Sequence, residues 1–329
     1  MRLGLAVLLA ALALLFARPS AALQETSRIA RVGFLTSNGR SSATTEENLR
    51  GFLGRLRELG WAEGTNLVIE ARYADWQYDR LPKLAEELVK SSVDVIFANA
   101  APSATAAKRA TKTIPIVFET LGDPVTGGLV SSLSKPGGNV TGIAGLSPEL
   151  SGKRLQILKE AVPGLARVVL FVNPRNAMTA PTIRESEKAA ATLALKLQVV
   201  EVREPADIER GFATLGVERS TAAVIVPDPL LLSQAARIQA LLLKHQMPAI
   251  HNETGWLQHG ALLLFGSSLR DHFRQAASLV DRILRGARPQ DLPVQQSTRF
   301  ELVVNLRTAK TLGLTIPPSL LARADRVIE

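Results

Sequence analysis

The chain has 329 residues, a formal net charge of +9, 46% hydrophobic and 21% charged residues, which leaves room for two or three domains and a sizeable core. This composition excludes an intrinsically disordered chain, a collagen-like repeat and a long coiled coil. Cysteine is absent, which excludes thiol catalysis, cysteine-ligated zinc and iron–sulfur sites, disulfides and a lipidated N-terminal cysteine.

Residues 1–22 have the layout of a cleavable secretory signal peptide. Arg2 supplies the positive start, an apolar run extends from Leu3 to Ala17, and Ser20 and Ala22 put small residues at the −3 and −1 positions. The run is shorter than the roughly 20 residues of a membrane span, and Arg18-Pro19 closes it. The mature protein is therefore expected to be soluble and periplasmic. It remains basic, but its cations (Arg50, Arg55, Arg57, Lys83, Arg109) recur beside apolar residues as on solvated helix faces. Aromatic residues make up only 5%, and no helix-turn-helix or zinc-finger pattern occurs, so nucleic acid is not an expected partner.

From residue 31 onward, β-rich apolar runs alternate with amphipathic stretches. Strands are expected at 31–36, 66–73, 93–98, 116–119 and 139–142, with helices at 45–59, 79–90, 103–110 and 125–132. The cycle then begins again. Helices are expected at 151–160, 181–195, 206–215 and 231–245, and strands at 167–172, 198–202, 222–226 and 248–250. A tail follows, with strands at 261–265 and 300–305 and helices at 271–285 and 305–312. Regular alternation predicts an α/β fold of two doubly wound, Rossmann-like lobes.

Four strands run into a proline with a small or polar neighbour: Asn99 to Ser103, Gly122-Asp123-Pro124, Asn173-Pro174 and Pro227-Asp228-Pro229. The carboxyl edge of such a sheet is where ligands bind. An Asp or Asn before Pro is also the ordinary start of a helix, and both readings stay open here. His251-Asn252-Glu253 follows another strand and is either a ligand contact or a polar crossover. The hydrolase elbow, the P-loop and the dinucleotide fingerprint are all missing. The four histidines form no metal-ligand spacing. No catalytic residue, metal or cofactor is therefore expected.

Several strings match one known family in order along nearly the whole mature chain. They are Gly33-Phe34-Leu35, Gly60-Trp61-Ala62-Glu63-Gly64-Thr65-Asn66-Leu67, Asp79-Arg80-Leu81-Pro82, Ile114-Pro115-Ile116-Val117 and Gly122-Asp123-Pro124-Val125. The most specific are Ser134-Lys135-Pro136-Gly137-Gly138-Asn139-Val140-Thr141-Gly142 and the segment from Phe300-Glu301-Leu302-Val303-Val304-Asn305-Leu306 to Ile316-Pro317-Pro318. The chain resembles the ABC-transporter substrate-binding proteins of the tryptophan/tyrosine-uptake type, which have the type I periplasmic-binding-protein fold. The sequence departs from that pattern at Pro227-Asp228-Pro229 and around 255–268.

The resemblance implies two lobes joined by three crossovers, here expected as 28–145 plus 256–286 and 146–255 plus 287–329. It implies a monomer that carries a small amino-acid-like or carboxylated solute to a membrane permease. Thr36, Ser37, Asn38, Asn99 and Ser103 are expected to meet the solute's carboxylate, helped by helix-start N–H groups. Asp123, and with it Asp228, is expected to take an ammonium, and Asn173, His251 and Glu253 complete the candidate site. An exported hydrolase and a ligand-sensing partner of a membrane receptor are two other uses of the same cleft.

Overall fold

The structure, a computed structural model, describes residues 29–145, 150–215 and 220–329. The expected signal peptide lies outside the described residues. Among them, no helix is long and apolar enough to cross a membrane.

Two sheets organise the chain. The first is wholly parallel, in the order β11-β5-β4-β3-β1-β2. Its strands are β1 (Ala30–Thr36), β2 (Leu67–Tyr73), β3 (Val95–Asn99), β4 (Ile116–Thr120), β5 (Val140–Ala144) and the two-residue β11 (Gln295–Gln296). Every residue of β3, β4 and β5 is buried, as a central parallel strand covered on both faces requires. One face packs on α2 (Leu81–Lys90) and α3 (Ala101–Ala110), with Leu84, Leu88 and Ala107 in its core. The other packs on α1 (Ala43–Glu58) and α9 (Leu269–Leu284), with Phe34, Phe52, Phe97 and Phe273 meeting at ring distances of 4.6–6.3 Å.

The second sheet runs β13-β12-β10-β9-β8-β6-β7. Its strands are β6 (Arg167–Val172), β7 (Lys196–Glu201), β8 (Thr221–Ile225), β9 (Ala249–His251), β10 (Leu263–Ser267), β12 (Phe300–Asn305) and β13 (Arg326–Ile328). Among the described strands of this sheet only the β10–β12 pair is antiparallel. Around it lie α4 (Ser151–Ala161), α5 (Thr179–Thr192), α6 (Ala206–Thr214), α7 (Pro229–Ser233), α8 (Ala235–Lys244), α10 (Leu306–Thr311) and α11 (Pro318–Leu321).

The chain passes between lobes after β5, at Ser268 between β10 and α9, and at 297–299 between β11 and β12. This moves two expected boundaries. Residues 256–267 belong to the second lobe, because β10 pairs with β9 and Trp256 sits in that lobe's core. Residues 287–296 belong to the first, because β11 pairs with β5 and Leu292 and Val294 pack into its core. The apolar run at 261–265 has a strand's pattern, but nothing local says which sheet it joins.

Two expected helices also differ. Residues 125–132 form turns, because Gly127-Gly128, the latter at φ +68°, breaks the helical path. The expected 231–245 helix is α7 and α8, separated at Gln234.

Candidate functional site

The carboxyl edges of both sheets face one cleft, which leaves about 740 Å³ of empty space, its open mouth included. Its polar wall comes from the first lobe. Asn38 follows β1, Asn99 ends β3 and Glu119 lies near the end of β4. Thr44 and Thr45 bring the first turn of α1, and Ala100 to Pro102 the first turn of α3. Ala100 sits at φ +70°, which turns the chain abruptly from β3 into α3.

These side chains form one network. Thr36 Oγ1 donates to Asn99 Oδ1 at 2.9 Å, and Asn99 Nδ2 donates to Glu119 Oε2 at 2.8 Å. The other Glu119 oxygen lies 3.0 Å from His272 Nδ1 on α9. Asn38 Nδ2 donates to Thr45 Oγ1 at 2.8 Å. The network fixes both the amide of Asn99 and the carboxylate of Glu119 before anything binds.

The second lobe contributes Asn176, Met178, Thr182, Val226 to Pro229, Leu232 and Glu253. Asp228 caps α7, accepting from the N–H groups of Leu230 at 2.8 Å and Leu231 at 3.3 Å. It also accepts from Asn173 Nδ2 at 3.2 Å, Asn176 Nδ2 at 3.0 Å and the Tyr78 hydroxyl at 2.7 Å. Burial pushes its carboxyl up from the usual range, and the bonds from Tyr78, Asn176 and Asn173 pull against that.

Glu253 is different. It is 8% exposed and makes no hydrogen bond to a described residue through its carboxyl. Burial, with the negative charges of Glu119 and Asp228 nearby, pushes its pKa up to about 8. Among the described residues no Lys, Arg or His lines the cavity. The described lining thus carries three carboxyls, those of Glu119, Asp228 and Glu253, and no basic side chain to balance them. Leu121, Met178, Leu232, Leu269 and Phe273 supply an apolar surface beside them. Among the described residues no cluster of acidic or histidine side chains is arranged to hold a metal ion.

Residues 41–328 match the family described as ABC transporter substrate binding protein. The chain belongs to that family. Its members are solute-binding proteins, not enzymes, and this binding protein is a component of an ABC transporter. A tyrosine-binding protein of Clostridioides difficile (strain R20291) is 27% identical to it over 266 residues, 80% of this chain and 76% of its own. The structure of a conserved domain protein from Vibrio cholerae O1 biovar El Tor str. N16961 matches with a TM-score of 0.86 at 29% identity, over 91% of this chain and 100% of that one. An ABC domain from Streptococcus pneumonia in complex with L-Trp matches with a TM-score of 0.83 at 22% identity, over 91% and 99%. More distantly, a periplasmic binding protein/LacI transcriptional regulator from Alkaliphilus metalliredigens shares the architecture (TM-score 0.55, 11% identity, 83% and 96% covered). The fold of the binding protein is thus the type I periplasmic-binding one.

Of the residues the sequence singles out, Asn38, Asn99, Asp228 and Glu253 line the cavity of the binding protein. Thr36, Ser37 and Ser103 lie buried just beneath it. Thr36 holds Asn99, and the Ser37 and Ser103 hydroxyls pair at 2.9 Å. Asn173 is likewise buried behind Asp228.

Asp123 and His251 do not reach the cavity either, and unlike those four they are engaged elsewhere. The Asp123 carboxylate is turned onto its own loop, accepting from the Val125 N–H at 2.9 Å and from the N–H and hydroxyl of Thr126. His251 is fully buried, stacked on Trp256 at 4.3 Å, with neither ring nitrogen hydrogen-bonded to a described residue.

Glu119, Tyr78, Asn176 and Met178 carry parts of the site that the sequence reading passes over. Glu119 could be found by the same strand-edge reasoning that picks out Asn99, since it lies near the end of β4. Tyr78, in a short 3₁₀ turn ahead of α2, has no such signal.

Proposed function

We propose that the cleft binds a zwitterionic amino acid with an apolar, aromatic-class side chain, and that the protein delivers it to a membrane permease. The observation that carries this reading is Glu253, a buried carboxyl with no partner among the described residues, in a cavity to which those residues bring no basic side chain. A ligand ammonium supplies the missing partner. Glu119, already held by Asn99 and His272, adds a second negative charge.

The ligand carboxylate is placed at the first turns of α1 and α3, whose N–H groups and dipoles favour an anion. Thr44, Thr45, Asn38 and Asn99 line that side. The side chain lies against Leu121, Met178, Leu232 and Phe273. The tyrosine and L-Trp named for two of the relatives fit this division of charge and apolar surface.

Export with removal of 1–22, a periplasmic location and a monomeric state complete the proposal. Asp228 has a different place in it from the one the sequence suggests. Five donors already occupy its two oxygens, so it is a cap and a support for the wall.

Titration calorimetry with L-tryptophan, L-tyrosine and D-xylose tests the reading, alongside mass spectrometry of whatever co-purifies with the native protein. Binding of at least one aromatic amino acid, with no binding of the sugar, is expected. A co-purifying ligand that lacks an ammonium group overturns it.

A further inference from the structure

The two lobes touch through contacts that need no ligand. Tyr78, from the first lobe, donates its hydroxyl to Asp228 of the second at 2.7 Å. Asp228 keeps its four other donors within the second lobe, so only the Tyr78 bond is lost when the lobes part. One residue on, Asp79 pairs with Arg175 at 2.6 Å, but this pair is 85% and 50% exposed and weak for that reason.

The second contact is steric. Met178, at the start of α5, enters a socket formed by Gly122 and Gly127 of the first lobe. A Cβ added at Gly122 would lie 2.0 Å from Met178 Sδ, and one at Gly127 would lie 2.5 Å from Met178 Cε. Neither glycine has a positive φ, so the backbone does not call for glycine at either place. At Gly122 the close approach of Met178 from Cβ to Sδ does, whereas Gly127 meets mainly the flexible end of that side chain.

The loop between these glycines is the one Asp123 shapes. Its carboxylate gathers Val125 and Thr126, and its carbonyl accepts from the Gly127 N–H at 3.0 Å. The Gly-Asp-Pro string therefore builds a receptor for the opposite lobe.

We propose that Tyr78–Asp228 and the Gly122/Gly127 socket for Met178 form a latch that populates the closed cleft without ligand. The latch raises affinity by lowering the cost of closure, and it makes Tyr78, Gly122 and Gly127 positioning residues for binding. This rests on the reading of the cleft between the two lobes as a solute-binding site, but not on the identity of the solute.

The absence of cysteine allows clean labelling. Lys83→Cys on α2 and Arg184→Cys on α5, both on exposed surface, take spin labels in opposite lobes. Pulsed electron resonance then reads closed and open distances in ligand-free protein. A closed population is expected in the otherwise unaltered chain. Tyr78→Phe is expected to lower the closed-to-open ratio about tenfold or more, the worth of a hydrogen bond to a charged acceptor. Gly122→Ala is expected to lower it as well, and adding Met178→Ala to Gly122→Ala to restore it in part, since the clash is then gone.

A ligand-free chain with only the open distance overturns the proposal. So do distributions unchanged by both Tyr78→Phe and Gly122→Ala, and so does a Gly122→Ala effect that persists with Met178→Ala. Because no ligand is added, these outcomes are separate from whether an aromatic amino acid binds.

Discussion

Raising the pH from 6 to 8 should tighten binding of the proposed amino-acid ligand, with Glu253 setting the size of the effect. With a pKa of about 8, the ligand-free carboxyl holds its proton through neutral pH. An ammonium needs the carboxylate, so binding must expel that proton. The cost is about 1.4 kcal/mol for each pH unit below the pKa. Affinity should therefore rise roughly tenfold per unit from pH 6 and flatten near 8. Calorimetry at pH 6.5 in two buffers of different ionisation enthalpy should show release of about one proton per ligand, the fraction a group of this pKa still holds there. Glu253→Gln should lose the proton release and the slope, and bind roughly ten- to a hundredfold more weakly at pH 8, where the charge-assisted bond is missing. The same proton acts oppositely on the ligand-free fold. The folded chain keeps it from about pH 4.5 to about 8 while the unfolded chain has lost it, so ligand-free stability should fall as pH rises through that window. An affinity that is flat between pH 6 and 8, with no buffer-dependent enthalpy, would refute the assignment of the ammonium to Glu253.

His251 should make the fold acid-sensitive. Burial holds its pKa down at about 3, whereas the unfolded chain takes a proton near 6.5, so its contribution to stability is present above 6.5 and is lost as pH falls toward 3. His251→Phe keeps the stack on Trp256 and removes two unpaired nitrogens. Its melting temperature should decline less between pH 7 and 4, and a curve parallel to that of the unaltered protein would count against this cause. Asp123→Asn should leave affinity within about twofold and cost little stability, because Asn caps about as well as Asp. A tenfold loss in titration calorimetry would return Asp123 to the ligand site. The secreted protein should begin at or near Leu23, and N-terminal sequencing that finds Met1 on exported material would remove the signal-peptide assignment.

How far the sequence carries depends on whether a feature is local. The periodic runs place β1 and β6 to within a residue, because a buried parallel strand reads as a continuous apolar stretch bounded by turn residues. The same patterning cannot say which sheet a strand joins. Leu263 to Phe265 has an identical apolar signal in either lobe, and only pairing with β9 and β12 decides it. Two-residue β11 has too few positions to show a period at all.

The site follows the same division, and there the non-local part matters more. Strand-end position predicts that Asn38, Asn99, Asp228 and Glu253 line the cleft, since a strand's carboxyl edge is a property of the topology. It does not predict which of the acids is free. Asp123 and Asp228 precede a proline that starts a turn or helix, and in both the carboxylate is consumed by N–H groups two and three residues ahead. Glu253 also precedes a helical turn, but its longer side chain makes no cap, and it is carried past the turn into the cavity. An Asp at such an edge is held by its own backbone, while a Glu one methylene longer is released from it. The residue that resembles a helix cap least is thus the one whose carboxyl stays unpaired among the described residues.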